Sequence, residues 1–287
     1  MRAMKLATAL VIGTCVTSVS ALASAQALRY STTAPGNVVA AGNTLGLAKQ
    51  TNLNGPGIAD SIGTFISLDA QSVDTDAPLG AMPWPGGTTS NWAMNGSRAM
   101  LTMPLESEVL YAELVWGGSH QYGEDVSAFL DVPVTLTFGN DSIQVTPDAA
   151  TATTVEATGS FTIRYYMRSS EVTSFVSQHG SGLYAVSGVP ATQGSAFNTV
   201  NAAGWSIIVA YRFDGEPIRN LSVFAGDTAF VDENTTVDYA VSGFCAPPAG
   251  EIEGAIAIAT MEGDSNRIGD QLAIGETVAS MFVNLSG

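Results

Sequence analysis

Histidine, lysine and cysteine are almost missing from this sequence. Its 287 residues hold two histidines, His120 and His179, two lysines, Lys5 and Lys49, and two cysteines, Cys15 and Cys245. Each shortage narrows the chemistry. A Ser-His-Asp hydrolase needs a histidine beside an activated serine, and neither histidine accompanies a G-x-S-x-G elbow. A catalytic zinc needs three nitrogen, sulfur or carboxylate ligands and an open position, which two histidines and one apolar-flanked cysteine supply poorly. No phosphate-binding loop or dinucleotide fingerprint occurs. These gaps lead us to expect no enzyme. Glycoside hydrolysis, which asks only for two carboxylates, is the one reaction that composition leaves open.

Long apolar runs are also scarce. The exception is the start, "MRAMKLATALVIGTCVTSVSALASAQA", where Arg2 and Lys5 precede an apolar stretch and two A-x-A sites follow, Ala23-Ser24-Ala25 and Ala25-Gln26-Ala27. This is the layout of a secretory signal peptide over residues 1–27. Thr14, Thr17, Ser18 and Ser20 break the run well short of the roughly 20 residues that a membrane span needs. Ile12-Gly13-Thr14 before Cys15 fit a lipid-attachment box poorly. No second run of spanning length follows, so the expectation is a secreted or cell-surface chain with no transmembrane segment after cleavage.

Positive charge is the next deficit. Residues 28–287 carry 8 basic residues against 26 acidic ones, a formal charge of −18. Nucleic acid and anionic membranes both call for a basic face and are not expected as partners. With Cys245 the one cysteine left after cleavage, no intramolecular disulfide can form. Stability must come from a buried core, which 46% hydrophobic and 13% charged residues permit. We read Cys245 as a buried thiol, with intermolecular pairing as the alternative.

What is present is mostly β-pattern. Short runs rich in β-branched and aromatic residues alternate with Gly, Pro, Asn and Asp. They are 109–116, 132–138, 161–167, 205–213, 221–226, 236–244 and 254–261. Several are nearly all apolar, as strands covered on both faces or central in a sandwich are. In 161–167, Phe161, Ile163, Tyr165 and Met167 share one face, and Thr162, Arg164 and Tyr166 the other. The fold class expected is all-β, a jelly-roll-like two-sheet β-sandwich with one or two short helices. The helices are "EDVSAFL" (124–130) and "SEVTSFV" (170–176), two similar segments that hint at internal pseudo-symmetry. In the second, Ser170 is placed to cap, Val172, Phe175, Val176 and His179 form one face, and Gly180 is placed as the stop. No linker divides residues 28–287, read here as a single domain.

Four local features bear on binding. His120 sits in the Gly-rich "WGGSHQYGED", read as a loop histidine bonded to Glu124 or Asp125. His179 is expected at the end of the short helix. Trp84 and Trp92, flanked by Pro, Gly, Asn and Thr, are the candidate glycan contacts, whereas Trp116 and Trp205 belong to apolar strands and the core. In "TMEGDSNRIGDQL" (260–272), Glu262, Asp264, Asn266 and Asp270 are spaced as calcium ligands can be. Asp227, Asp232 and Glu233 of a second acidic loop are possible further donors. The spacing is not that of an EF-hand, and the alternative is an acidic turn whose Asp264 and Asp270 accept backbone amides.

Five blocks, "AAGNTLGLAKQTNLNGPGIADSIGTFIS", "VLYAELVWGGSHQYGEDVSAFLDVPVTLTF", "RSSEVTSFV", "AGWSIIVAYRFDGEPIRNLSVFAGD" and "EGDSNRIGDQL", occur in this order. Together they resemble the N-terminal β-rich domain of large secreted bacterial cell-surface proteins, in which immunoglobulin-like repeats and an anchoring signal commonly follow. The resemblance covers nearly all of the chain after the leader, but this sequence stops at "MFVNLSG" without repeats or anchor. It implies location and architecture and no reaction: a structural or adhesive surface module, whose partners are other surface proteins or glycans. A carbohydrate-binding domain is the alternative.

Overall fold

The computed structural model describes residues 26–48, 62–76, 83–158, 162–193, 201–227, 237–239, 241, 254–260, 271–273 and 282–284. Four antiparallel strand pairs nest inside one another. The outermost joins β1 (Ala27–Thr44) to β13 (Ala203–Arg212). Within it, β5 (Gly96–Leu101) pairs with β12 (Gly182–Ser187). Next, β6 (Glu108–Tyr122) pairs with β11 (Thr162–Glu171). The innermost joins β8 (Val134–Phe138) to β9 (Asp141–Val145) through a two-residue turn, where Gly139 takes φ 58°. Rolling this long hairpin brings β13 against β6 and β12 against β8. The sheets then read β10-β11-β6-β13-β1 and β5-β12-β8-β9, where β10 is Thr153–Thr158. That is the connectivity of a jelly roll, so the expected all-β sandwich is present.

The two sheets bury one apolar layer between them. Leu114, Trp116, Tyr166, Trp205, Ile207 and Val209 of the large sheet meet Leu101, Val134, Leu136, Tyr184 and Val186 of the small one. The Trp205 indole N–H donates to Ser97 Oγ at 2.9 Å, tying the layers together without an unpaired donor. Small strands β2 (Gly46–Ala48), β3 (Ile62–Ile66) and β4 (Thr88–Thr89) form a separate three-stranded sheet that adds Ile62 and Phe65 to this core. A further pair, β15 (Gln271–Ala273) with β16 (Phe282–Asn284), lies later in the chain.

The large sheet has a covering on its other face too. At 18 residues β1 spans about 60 Å when extended, more than a sandwich strand needs. Its second half, from Gly36, pairs with β13, while Ala27–Pro35 pair with β14 (Ile218–Ala225). The change of partner falls at Pro35, which has no N–H to give to a ladder. The β1/β14 ribbon packs on the outer side of the sheet: Tyr30, Ala34, Leu221 and Val223 join Tyr111, Val115, Ile208 and Ala210 in a second apolar cluster. Tyr30 stacks on Tyr111 with ring centroids 5.1 Å apart. Two-sided burial explains why the runs at 109–116 and 205–213 are almost entirely apolar, with Glu113, Ser206 and Arg212 the exceptions.

Both helix-like segments lie where the chain crosses from the large sheet to the small one. After β11, α1 (Thr173–His179) caps one end, with Phe175 and Val176 buried and Gly180 at φ 65° ending it. Ser170 does not cap; it pairs with Leu114 inside β11, and Thr173 Oγ1 instead receives the Ala112 N–H at 3.0 Å. The segment 124–130 is not an α-helix. It opens as β7 (Glu124–Asp125), paired back onto β6 around Gly123, and closes with one 3₁₀ turn, Ser127–Phe129. The reason is local: the Val126 N–H is taken by His120 C=O at 2.9 Å, and Asp125 Oδ1 accepts the Ser127 N–H, so the first turn has already been committed. The two crossings nonetheless correspond. Val172 donates its N–H to Ala112 C=O as Val126 does to His120 C=O, at opposite ends of β6.

Of the remaining expected strands, 254–260 form none, although Ala259 packs on the outer cluster. Most of 236–244 lies outside the described residues, as does Cys245.

Candidate functional site

Two polar clusters interrupt the apolar layers along β6, one near its C-terminal end and one mid-strand. The first grows from "WGGSHQYGED", which is strand through Tyr122 and not a Gly-rich loop. Gly117 and Gly118 sit in the central strand because neighbouring backbones press on both sides. A Cβ on Gly117 would meet Tyr166 C=O, and one on Gly118 would meet Ala202 C=O, each well inside 3.0 Å. Beyond them, buried Ser119, Thr192 and Asn201 satisfy one another: Thr192 Oγ1 lies 2.9 Å from Ser119 Oγ, and Asn201 Nδ2 donates to Thr192 Oγ1 at 2.6 Å.

His120 is next and is 5% exposed. Its Nδ1 lies 2.8 Å from Ser127 Oγ, and the Ser127 hydroxyl and N–H both serve the Asp125 carboxylate. Ser127 thus stands between the His120 ring and the Asp125 carboxylate. His120 Nε2 is buried and without a hydrogen-bond partner among the described residues. The expected histidine–carboxylate link therefore runs through a serine. In a catalytic triad the histidine stands between serine and acid; here the serine stands in the middle, and the group clamps the crossing after β6.

Burial lowers the His120 pKa below its ordinary 6.5; Asp125 opposes this, while Arg164 and Arg168 add to the depression. The folded protein thus holds the neutral ring more firmly than the unfolded chain does. Its contribution is complete above pH 6.5 and is lost as pH falls from there through the folded value. Urea unfolding of the wild type and a His120→Asn variant, run between pH 7.5 and 5, should show the wild type losing stability faster on acidification. Equal slopes would remove His120 from the acid response.

The second cluster was not visible in the sequence. Glu113 lies mid-strand in β6, fully buried under the ribbon. Its Oε1 accepts from Ser169 Oγ at 2.6 Å and from Arg29 Nε at 3.2 Å, and its Oε2 accepts from the Tyr111 hydroxyl. Arg29 also reaches Asp148 Oδ2 with its second nitrogen at 2.8 Å, so one guanidinium from β1 bridges two carboxylates. Burial works against the charge on Arg29, but Glu113, Tyr111 and Asp148 outweigh it and hold the group above its usual range. Burial, then the bond to Glu113, pushes the Tyr111 hydroxyl upward as well. Asp148 is held low by the Ala150 N–H and, after that, by Arg29. The one sequence signal was a lone acid within "LYAELVW", since a carboxylate in a two-sided apolar strand must find a cation.

The remaining candidates are placed as follows. Trp116 and Trp205 are core residues. Trp84, 5% exposed, has no open ring face to offer a sugar, while Trp92 is half-buried on a 3₁₀ turn and leans on Phe129 with centroids 5.3 Å apart. His179 does close α1; it stacks on Phe138 and lies 3.7 Å from Asp141. Glu262, Asp264, Asn266 and Asp270 lie outside the described residues, as do Asp232 and Glu233. Asp227 follows β14 at φ 52°, its Oδ2 buried without a hydrogen-bond partner among the described residues. There, too, no three His, Cys, Asp or Glu side chains gather as metal ligands, and no helix is long and apolar enough to cross a membrane. No known protein family, curated protein or solved structure matches the chain.

Proposed function

We propose that this chain is an exported structural or adhesive module of a bacterial cell surface, working through its folded surface and not through turnover. The observation that carries the reading is the use made of its buried ionisable groups. Glu113 is occupied by Arg29, Tyr111 and Ser169, and His120 is tied through Ser127 to Asp125. Both hold the fold in place, the first under the ribbon and the second at a crossing between sheets. The leader-like start and the resemblance of the ordered blocks to bacterial surface proteins support this location. The test is expression with the native leader in a bacterial host, followed by fractionation and amino-terminal sequencing. A processed chain in the medium or on the surface is expected, and an unprocessed cytoplasmic chain would defeat the reading.

Calcium is part of this proposal, supported by the spacing of Glu262, Asp264, Asn266 and Asp270 and by the buried Asp227 oxygen that has no hydrogen-bond partner among the described residues. Thermal unfolding in EDTA and then in millimolar calcium should show a rise in Tm that an Asp264→Ala/Asp270→Ala variant lacks, because an ion that binds the folded state stabilises it. No rise would leave 260–272 an acidic turn. The second reading, carbohydrate binding, draws on the partly exposed Trp92–Phe129 pair. A glycan array with the wild type and Trp92→Ala decides it.

A further inference from the structure

The outer face of the small sheet is unlike the rest of this surface. Strand alternation fixes which residues stand on it. Leu101, Val134, Leu136, Tyr184 and Val186 point into the core, so their neighbours along each strand point out. On β8 and β9 these are Thr135, Thr137, Ser142 and Gln144. On β12 and β5 they form three cross-strand pairs, Leu183↔Met100, Ala185↔Arg98 and Ser187↔Gly96. No outward position is acidic, in a chain with 26 acids and a formal charge of −16.

The cation on this face is also left over. Among the described arginines, Arg29, Arg164, Arg168, Arg212 and Arg219 each pair with a carboxylate, whereas the exposed Arg98 guanidinium pairs with none. One step along the strands, Met100 and Leu183 oppose each other, 60% and 47% exposed. At the other end the loop after β3 rises over the face, where an added Cβ on Gly96 would meet Leu68 at 2.6 Å. This loop, the Trp92–Met94 turn and Ser187 enclose a shallow cavity. Its lining includes Met94, 57% exposed, and the exposed Asp69, which accepts only the Gln71 N–H among the described residues. Along the strands the face therefore runs from an apolar pair to a free cation, then to an acid beside an exposed methionine.

We propose that this face docks on the same face of a second copy, about a two-fold axis that crosses the strands near Gly96 and Ser187. An isologous contact must be complementary to itself, and the order just described is. Turning it about that axis sets Arg98 of each copy against Asp69 of the other, and Met100 with Leu183 against Met94. Charge selects the partner. A net −16 makes most surfaces of two copies repel, but here each copy brings one free cation and one free carboxylate, and no other acid.

Four strands and three outward rows make a face of roughly 14 by 14 Å. The contact falls below the roughly 1,200 Å² at which standard interfaces begin, so the dimer is weak and depends on concentration. Sedimentation equilibrium across a concentration series, in a Cys245→Ser background that excludes disulfides and at about 0.15 M salt, should show a monomer–dimer equilibrium. Arg98→Glu and Asp69→Arg should each weaken it about tenfold or more, since each sets like charges together, while the circular dichroism spectrum stays unchanged. Arg98→Glu/Asp69→Arg should restore it, because the pair is reversed and not lost. Leu183→Ser should weaken it with no change of charge. A protein that stays monomeric at every concentration overturns the proposal. So does a dimer indifferent to both single reversals or to Leu183→Ser, or a double reversal that remains monomeric.

Discussion

Replacing Arg29 with methionine should cost about 3–5 kcal/mol, the usual penalty for stranding one member of a buried ion pair. Glu113 is completely buried and cannot recover water when Arg29 is lost. Tyr111 and Ser169 would still donate, but two hydroxyls do not replace a full positive charge. For a domain of this size the loss corresponds to a fall in Tm on the order of 10 °C. The informative companion is Arg29→Met/Glu113→Gln. The amide keeps one acceptor oxygen for Tyr111 or Ser169, turns its NH2 to the oxygen of the other hydroxyl, and removes the charge that Arg29 balanced, so the double variant should regain more than half of the loss. Urea unfolding of the two singles and the double gives the coupling directly. A single-variant cost below about 1 kcal/mol would mean that the ribbon is held by Tyr30, Leu221 and Val223 alone. Hydrogen exchange over 27–35 would locate the change, because Arg29 is the ribbon's charged anchor.

An even larger loss is expected at the glycine pair. Gly117→Ala or Gly118→Ala forces a methyl group against the carbonyl of Tyr166 in β11 or of Ala202 just before β13, backbone that cannot rotate away as a side chain could. The strands must separate, and with them the ladders on both sides of β6, so each variant should lose 4 kcal/mol or more or fail to accumulate as soluble protein. Gly254, with nothing within 4 Å of an added Cβ, is the matched control, and Gly254→Ala should change stability by less than about 0.5 kcal/mol. Near-wild-type unfolding of Gly118→Ala would show that β6 and β13 have more room than their backbones indicate.

Those two sites show what a sequence exposes and what it hides. The sandwich was legible because alternation in 161–167 and nearly unbroken apolar runs elsewhere are properties of single strands. The core positions of Trp116, Trp205 and Val176 followed from the same periodicity. The Glu113–Arg29 pairing was hidden because its partners are separated by most of the first half of the chain, and only the bend of β1 brings them together. The glycines at 117 and 118 looked like loop formers because sequence cannot distinguish a turn from two backbones in close approach. The segments 124–130 and 170–176 share a pattern but not a conformation. Tertiary hydrogen bonds from Val126 and Asp125 decided between them, and seven residues hold too little intrinsic helical preference to resist. Residues 261–270 lie outside the described residues, and the calcium reading there rests on spacing alone.

The nested pairing also sets an order in time. The innermost hairpin, β8–β9, closes over a two-residue turn, whereas Ala27 must wait for Ala225 and Gly36 for Arg212. A chain delivered from its amino end therefore presents β1 first and completes it last. Until residues near 212 arrive the first strand has no ladder, and until those near 225 arrive its Ala27–Pro35 half, which carries the arginine for Glu113, has none. Folding dominated by such distant contacts is slow, and the early segment stays open and threadable for as long as synthesis or passage takes. The outermost strand pair is thus the closing step of the fold, and the docking of Arg29 is the event that marks it finished.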